Sequence, residues 1–179
     1  MISRSYIANR IKGCLGSRNR HHKINRFSRQ AALFLLLALT ACGPGYVYEK
    51  TRPIAETGWT YSDSLTYDFE IADTSTIYDL HLIVDHKDNF PSQNTYIRLK
   101  LRFPNGQRTD EQVSLQMADE FGLWLGNCSG EDCSLDIPIQ TGAYFSQAGQ
   151  YQLTVEQFSR EENLSGITAI TFALAEHNP

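Results

Sequence analysis

Apolar and polar residues alternate with a period of two along most of the chain beyond residue 60. The clearest example is 97–103, where the apolar residues at odd positions are separated by Arg98, Lys100 and Arg102. Such alternation is typical of β-strands that bury one face. It recurs in short segments separated by turn residues, at 65–71, 80–84, 113–117, 135–139, 151–155 and 170–174, and a short aromatic strand is predicted at 121–125.

These segments predict an all-β protein of eight or nine strands. After the 97–103 strand the chain reverses at Asn105-Gly106, a pair that tolerates positive φ. No convincing amphipathic helix of more than about ten residues interrupts the pattern. Many short strands with local reversals indicate an antiparallel two-sheet β-sandwich, of which the jelly roll is one form.

A different pattern occupies the beginning of the chain. A basic stretch ends at Arg29 and runs into the apolar segment 31–39, which is too short to cross a bilayer but matches the apolar core of a signal peptide. The residues Leu39-Thr40-Ala41-Cys42 then fit the bacterial lipobox, whose cysteine receives diacylglycerol before the chain is cleaved in front of it. We expect lipidation at Cys42; an ordinary secretory signal with a chance cysteine is the alternative.

The predicted domain organisation follows from this cleavage. Residues 1–41 are the signal peptide that is removed, 42–58 are a lipidated tether rich in proline, glycine and mixed charge, and 59–179 are the sandwich. Several acyl chains on one cysteine anchor a domain stably in a membrane. An aspartate directly after the lipidated cysteine retains lipoproteins in the inner membrane, and here that residue is Gly43. We therefore expect the protein in the outer membrane, with its domain facing the periplasm.

The charge distribution excludes one class of partner. Eight of the 16 basic residues, and none of the 20 acidic ones, precede Cys42. The mature part therefore carries 8 basic against 20 acidic side chains. Nucleic acid is not an expected partner, because its phosphates would be repelled.

Two cysteines remain for the mature domain once Cys14 is removed with the signal and Cys42 is lipidated. Cys128 and Cys133 flank a short polar segment, and in an oxidising periplasm we expect them to form a disulfide. A reduced structural pair and a metal site are the alternatives; the metal site lacks a nearby pair of histidines to complete four ligands.

The sequence contains no recognisable catalytic set. Nucleophile-elbow, zinc-protease, P-loop and dinucleotide-binding motifs are all absent from it. His81 and His86 are an odd number of residues apart, so a continuous strand would place them on opposite faces, and we expect His86 to lie in a solvated loop. The paired carboxylates Glu161 and Glu162 are interpreted as part of an exposed turn. We therefore predict neither an enzyme nor a bound metal or cofactor.

Ser64 is a candidate modification site. The residues Asp63-Ser64-Leu65 fit a loose O-glycosylation pattern of Bacteroidota, namely Asp, then Ser or Thr, then an aliphatic residue. Short patterns of this kind also match by chance, and an unmodified serine is the alternative.

Several segments occur in a fixed order after the lipobox, namely 67–73, 78–86, 89–91 with Asn94, 103–106, 122–126, 149–157 with Arg160, and 164–167. In this order they resemble the gliding-motility lipoprotein H (GldH) family of Bacteroidota, from about residue 47 to residue 176. The chain differs from the family pattern at Asp85, at Ser92 and in the loop between the two cysteines.

The resemblance implies an accessory of the gliding machinery, which is tied to type IX secretion, with no enzymatic activity. We expect such a domain to bind another envelope protein through its acidic faces and an exposed sheet edge. A surface lipoprotein that binds carbohydrate is the alternative, and an enzyme with a cleft at His86 is a third possibility. The carbohydrate hypothesis requires a coplanar pair of exposed rings drawn from Trp59, Tyr96, Trp124, Tyr144 and Phe145.

Overall fold

The computed structural model describes residues 45–178, which form eleven β-strands and no helix. No helix among them is therefore long and apolar enough to cross a bilayer. The strands are β1 (Tyr46–Pro53), β2 (Trp59–Thr60), β3 (Leu65–Ile71), β4 (Ile77–Lys87), β5 (Asn94–Arg102), β6 (Arg108–Gln116), β7 (Asn127–Ser129), β8 (Asp132–Tyr144), β9 (Gly149–Gln157), β10 (Asn163–Leu164) and β11 (Ile167–Glu176).

Two antiparallel sheets form the sandwich. The five-stranded sheet has the order β1-β11-β4-β8-β7, and the four-stranded sheet has the order β3-β9-β5-β6. A third ladder, β10-β2, contains only two short strands. Seven of the segments predicted from alternation fall on β3, β4, β5, β6, β8, β9 and β11. The prediction of an all-β antiparallel sandwich is therefore confirmed.

Aromatic side chains fill the space between the two sheets. Phe172 of β11 is fully buried, and its ring centroid lies 5.4 Å from that of Phe69 and 5.8 Å from that of Tyr67, both on β3 of the opposite sheet. The Tyr67 hydroxyl donates to the Ile170 carbonyl across the sandwich at 2.8 Å, and burial raises the pKa of this phenol. The hydroxyl of Tyr67 thus has a hydrogen-bond partner within the core.

The two long sides of the sandwich differ. On one side, the Arg52 guanidinium of β1 donates two hydrogen bonds, of 3.0 and 2.9 Å, to the Thr66 carbonyl of β3 and so joins the sheets. On the other side, β6 ends its sheet, and β8 is covered by β7 only over residues 132–134. The sheets therefore leave a cleft open between β6 and β8.

The segment predicted as a tether, 42–58, contains strand β1. This strand pairs with β11 from Tyr46 to Pro53, and its even-numbered residues are half-buried while the odd-numbered ones are exposed. The weak amphipathic alternation is masked in the sequence by charged residues and by Pro53, which is tolerated because it ends an edge strand. The folded domain thus begins before residue 59, at β1.

Candidate functional site

One loop exposes three large apolar side chains within five residues. Between β6 and β7, the side chains of Phe121, Leu123 and Leu125 are 80%, 66% and 52% exposed. We call these three residues the apolar tip. Single exposed apolar residues are common on protein surfaces, but a contiguous group marks a site of interaction.

The backbone of this loop is held by Asp119. Its Oδ1 accepts hydrogen bonds from the backbone N–H groups of Phe121 and Leu123, both at 2.9 Å. The Asp119 N–H donates to the Leu123 carbonyl at 2.9 Å, and the Gly122 N–H donates to the Asp119 carbonyl at 3.1 Å. Gly122 has a φ of 83°, a conformation that most other residues adopt only with strain. The tip is therefore a defined turn.

Trp124 fastens the loop to the sandwich. Its side chain turns inward, its Nε1–H donates to the Asp88 carbonyl at 3.1 Å, and its ring centroid lies 4.7 Å from that of His86. The next residue, Leu125, donates its N–H to the Met117 carbonyl at 3.0 Å. The predicted strand at 121–125 is wrong: the only ladder contact of this segment is an isolated bridge between Ala118 and Trp124.

His86 lies beneath this loop and is not solvated. Strand β4 continues to Lys87, so His86 keeps the inward parity of Leu82 and Val84 and is only 1% exposed. Its Nδ1 hydrogen-bonds to the Lys87 carbonyl at 2.8 Å, while Nε2 has no partner in the described part of the chain. The expectation of a solvated loop at His86 is wrong, because the apparent turn residues follow the end of the strand rather than interrupt it.

Four acidic residues lie in the loop of the apolar tip or in the neighbouring loops; we call Asp88, Glu120, Glu131 and Asp132 the acidic rim. All four are exposed. The Asp88 N–H donates to the Glu131 carbonyl at 2.9 Å, which ties the start of one loop to the β7–β8 turn. Lys87 Nζ lies 2.7 Å from Asp132 Oδ1, and this carboxylate raises the pKa of Lys87 above its usual value. Lys87 thus neutralises part of the acidic rim, chiefly at Asp132.

The β7–β8 hairpin beside the tip contains the disulfide expected between Cys128 and Cys133. Cys128 is exposed, whereas Cys133 is buried and pairs with His86 in the β4–β8 ladder. Gly126 leads into this hairpin so close to the Ser134 carbonyl of β8 that a Cβ atom would collide with it. The covalent bond and this close approach hold β7 against β8, and β8 pairs with the end of β4.

The other predicted residues do not converge on the tip. Cys42 lies outside the described residues. Ser64 is exposed, and its hydroxyl donates to Glu156 Oε1 at 3.4 Å. His81 faces the outside of β4, opposite to His86, with its Nδ1 2.8 Å from Asp136 Oδ1. No group of three or more metal-ligating side chains occurs within residues 45–178.

The rings named for a carbohydrate platform are not arranged as one. Trp59 is fully buried, Phe145 is 5% exposed, and Trp124 is half-buried under the tip. Tyr96 and Tyr144 are exposed, but they lie in different sheets, on β5 and at the end of β8. No two of these five rings are therefore exposed side by side.

The apolar tip was not predicted from the sequence, because the pattern of residues 121–125 was interpreted as a short strand. A signal was present, since the segment 121–125 is preceded by Asp119-Glu120, contains Gly122 and is followed by Gly126. Acidic and glycine residues on both sides of a short apolar run are more typical of a turn than of a buried strand. The burial of Trp124 and the exposure of its neighbours depend on contacts with β4 that are remote in sequence.

The described residues thus form an antiparallel β-sandwich domain with an exposed apolar turn between β6 and β7. The profile of a family described as GldH lipoprotein matches residues 46–174. The chain therefore belongs to the GldH lipoprotein family, as the resemblance predicted.

Two relatives agree with this assignment. The gliding motility lipoprotein GldH homolog of Christiangramia forsetii is 21% identical over 155 residues, which cover 83% of this chain and 94% of the relative. The gliding motility lipoprotein GldH of Flavobacterium johnsoniae is 22% identical over 157 residues, covering 83% of this chain and 97% of the relative.

Among solved structures, a 4-O-methyl-α-glucuronidase with specificity for decorated arabinogalactans aligns with a TM-score of 0.35 and 16% identity, over 76% of this chain and 18% of that chain. A likeness at this level carries no conclusion about fold or activity.

Proposed function

We propose that this protein is a non-catalytic envelope lipoprotein that serves the gliding-motility machinery by binding another envelope protein through the apolar tip. Family membership and the names of the two relatives support the motility role. The observation that carries the binding role is the exposure of Phe121, Leu123 and Leu125 on a turn that is already rigid. Aromatic and aliphatic anchors on a preorganised loop bind at a low entropic cost.

The position of the tip favours a protein over the bilayer as its partner. Tyr46 follows Cys42 by four positions, so a lipidated Cys42 would keep Tyr46 within about 14 Å of the membrane. In the register of the sheet, Tyr46 lies at the level of Ala175 and Asp79, whereas Trp124 packs on His86. His86 follows Asp79 by seven positions along β4, which corresponds to a distance of about 23 Å. The apolar tip thus lies near the end of β4 that is remote from Tyr46 and would be remote from a lipid on Cys42.

The charges around the tip define the partner's chemistry. A partner with an apolar groove bordered by lysine or arginine would complement the apolar tip and the acidic rim near it. Anionic lipid headgroups, in contrast, would be repelled by the rim. We place the protein in the outer membrane, with this tip directed into the periplasm, because Gly43 lacks the inner-membrane retention signal.

The test is affinity purification of the lipidated protein from its own cell envelope after crosslinking in cells. The double variant Phe121→Ser/Leu123→Ser should lose its co-purifying envelope protein by at least tenfold and reduce colony spreading, while its stability changes by less than about 0.5 kcal/mol because both side chains are exposed. The matched control is Tyr144→Ser/Ile77→Ser, which removes two exposed apolar side chains at the other end of β4 and should retain the partner.

Three outcomes would contradict the proposal. The first is a tip variant that still recovers the same partner at the wild-type level. The second is loss of the partner in the control to the same extent. The third is recovery of glycans alone, with no motility or secretion component, which would favour the carbohydrate-binding alternative.

A further inference from the structure

The open side of the sandwich contains an apolar cleft that is separate from the apolar tip. It has a volume of about 210 Å³ and lies between the two sheets, where β6 and β8 approach each other without pairing. Its lining is mainly aliphatic and aromatic, with Leu80, Leu99, Leu101, Val113, Ile139 and Phe172. Leu99, Leu101, Val113 and Ile139 face inward yet remain only half-buried. The core is thus incomplete along this side.

The two strands that border the cleft differ in their capacity to accept a further strand. Within residues 45–178, strand β6 has no neighbour on its outer side, and it contains no proline between Arg108 and Gln116. Strand β8 contains Pro138, which has no N–H to donate, and its register against β4 shifts at Leu80. A continuous row of backbone donors and acceptors is therefore available only on β6.

We propose that this cleft binds an extended peptide segment of a partner protein, which adds a strand to the free edge of β6. Along β6, residues Thr109, Glu111 and Val113 line the cleft at intervals of two, the period with which a strand presents side chains to one face. The added strand places two apolar side chains, two residues apart, against Leu99, Leu101 and Ile139. This is β-augmentation with pockets for alternate side chains.

Glu111 sets the charge of the ligand. It lies at the mouth of the cleft, is exposed, and makes no ion pair within residues 45–178. An extended segment with a lysine or arginine at this level pairs with Glu111, while an acidic segment is repelled. The charge of Glu111 also disfavours pairing between the β6 edges of two copies of the chain, because such pairing would bring like charges together.

The volume argues for a peptide over an acyl chain. A cavity of about 150 Å³ holds one benzene molecule, so 210 Å³ holds about eight or nine carbon atoms. Two aliphatic side chains have about that size. A palmitoyl chain on Cys42 would be only about half accommodated, and it would leave the backbone edge of β6 unpaired.

The experiment uses the lipidated protein in phospholipid nanodiscs and two fluorescent peptides of alternating valine and threonine, one flanked by lysine and one by glutamate. The lysine-flanked peptide should bind at least tenfold more tightly by fluorescence anisotropy, and the amides of β6 should become protected from hydrogen exchange. Glu111→Lys should reverse the preference. The matched control, Glu49→Lys on the exposed face of β1, makes the same charge change away from the cleft and the apolar tip and should leave the preference unaltered.

Each remaining outcome would overturn the proposal. These are equal binding of the two peptides, a preference that Glu111→Lys does not reverse, protection confined to the tip, or displacement by dodecanoate with no dependence on Glu111, which would indicate a lipid site. Val113→Trp fills the cleft and should abolish peptide binding while the tip partner is retained. Failure here is therefore distinguishable from failure of the proposed function, which Phe121→Ser/Leu123→Ser tests.

Discussion

Asp119 shows how one side chain can organise a functional loop. It is half-buried, and a single carboxylate oxygen satisfies two backbone N–H groups of the tip. Aspartate performs this role well because its short side chain reaches backbone donors two to four residues ahead. The consequence is that Phe121 and Leu123 are presented outward without needing contacts of their own.

At this position, Asp119→Ala should loosen the tip. The loss of two hydrogen bonds predicts a destabilisation of about 1–2 kcal/mol and faster hydrogen exchange at the amides of Phe121 and Leu123. Asp119→Asn keeps an oxygen acceptor in the same place and should preserve slow exchange. NMR-detected exchange and urea denaturation measure both effects, and equal exchange in the alanine and asparagine variants would show that Asp119 does not hold the loop.

Asp79 is the residue at which a pH dependence is expected. The Gly142 N–H donates to its carboxylate at 2.8 Å, and this bond, together with His177 at 2.9 Å, holds the pKa of Asp79 below its usual value. A carboxyl group whose pKa is lower in the folded state stabilises the fold above its unfolded pKa of about 4, and this stabilisation is lost as the pH falls through the folded pKa.

Asp79→Asn should therefore flatten the loss of stability below about pH 4. The free energy of unfolding, measured in urea between pH 2 and pH 7, should fall less steeply with acid in this variant than in the wild type. Leu123→Ser, which changes no titratable group, should retain the wild-type slope. An identical acid dependence in Asp79→Asn and wild type would refute the role of this carboxylate.

At the scale of elements, the region around the tip depends on the β7–β8 hairpin. Strand β7 has only three residues and pairs with a single neighbour, so it contributes few hydrogen bonds. The disulfide between Cys128 and Cys133 compensates for this by restricting the unfolded chain. The hairpin in turn covers the end of β4, where His86 and Lys87 pair with Cys133 and Asp132.

The double variant Cys128→Ser/Cys133→Ala should be less stable by at most about 2 kcal/mol, since a loop this short gains little closure entropy. The alanine avoids burying a new hydroxyl at position 133, which is 2% exposed. Urea denaturation with and without reductant provides the measurement. Reductant should destabilise the wild type and leave the variant unchanged; sensitivity of the variant to reductant would point to another cause.

At the scale of the whole molecule, the start of β1 and the apolar tip lie towards opposite ends of β4. Tyr46 at the start of β1 lies near the beginning of β4, and the tip lies at its end. A lipid on Cys42 would therefore hold the domain to the membrane without covering Phe121, Leu123 or Leu125. Membrane attachment and partner binding would then be separable properties.

Cys42→Ala should release the protein from the membrane fraction while the fold is retained, because Cys42 precedes β1. Fractionation of cell envelopes and circular dichroism of the released protein measure the two properties. Mass spectrometry of the wild type should show acylation at this cysteine. A Cys42→Ala protein that still sediments with membranes, or a wild-type protein with an unprocessed N-terminus, would contradict lipid anchoring.

The sequence by itself determined the class of fold and seven of the eleven strands of the described residues. Alternation is a local property, so β5 could be recognised from Ile97, Leu99 and Leu101 without knowledge of its neighbours. The disulfide was predictable for the same reason, since its two cysteines are only five residues apart. The family resemblance, drawn from ordered local segments, was confirmed as well.

Only the tertiary structure decided which apolar residues are covered. β1 joins the sheet because it pairs with β11, more than 100 residues later, and no local pattern specifies that partner. Trp124 is turned inward by His86 and Asp88, which leaves Phe121 and Leu123 exposed. The β6–β8 cleft likewise arises from two strands that do not pair. Burial depends on what lies opposite a side chain, and that is a property of distant segments brought together by folding.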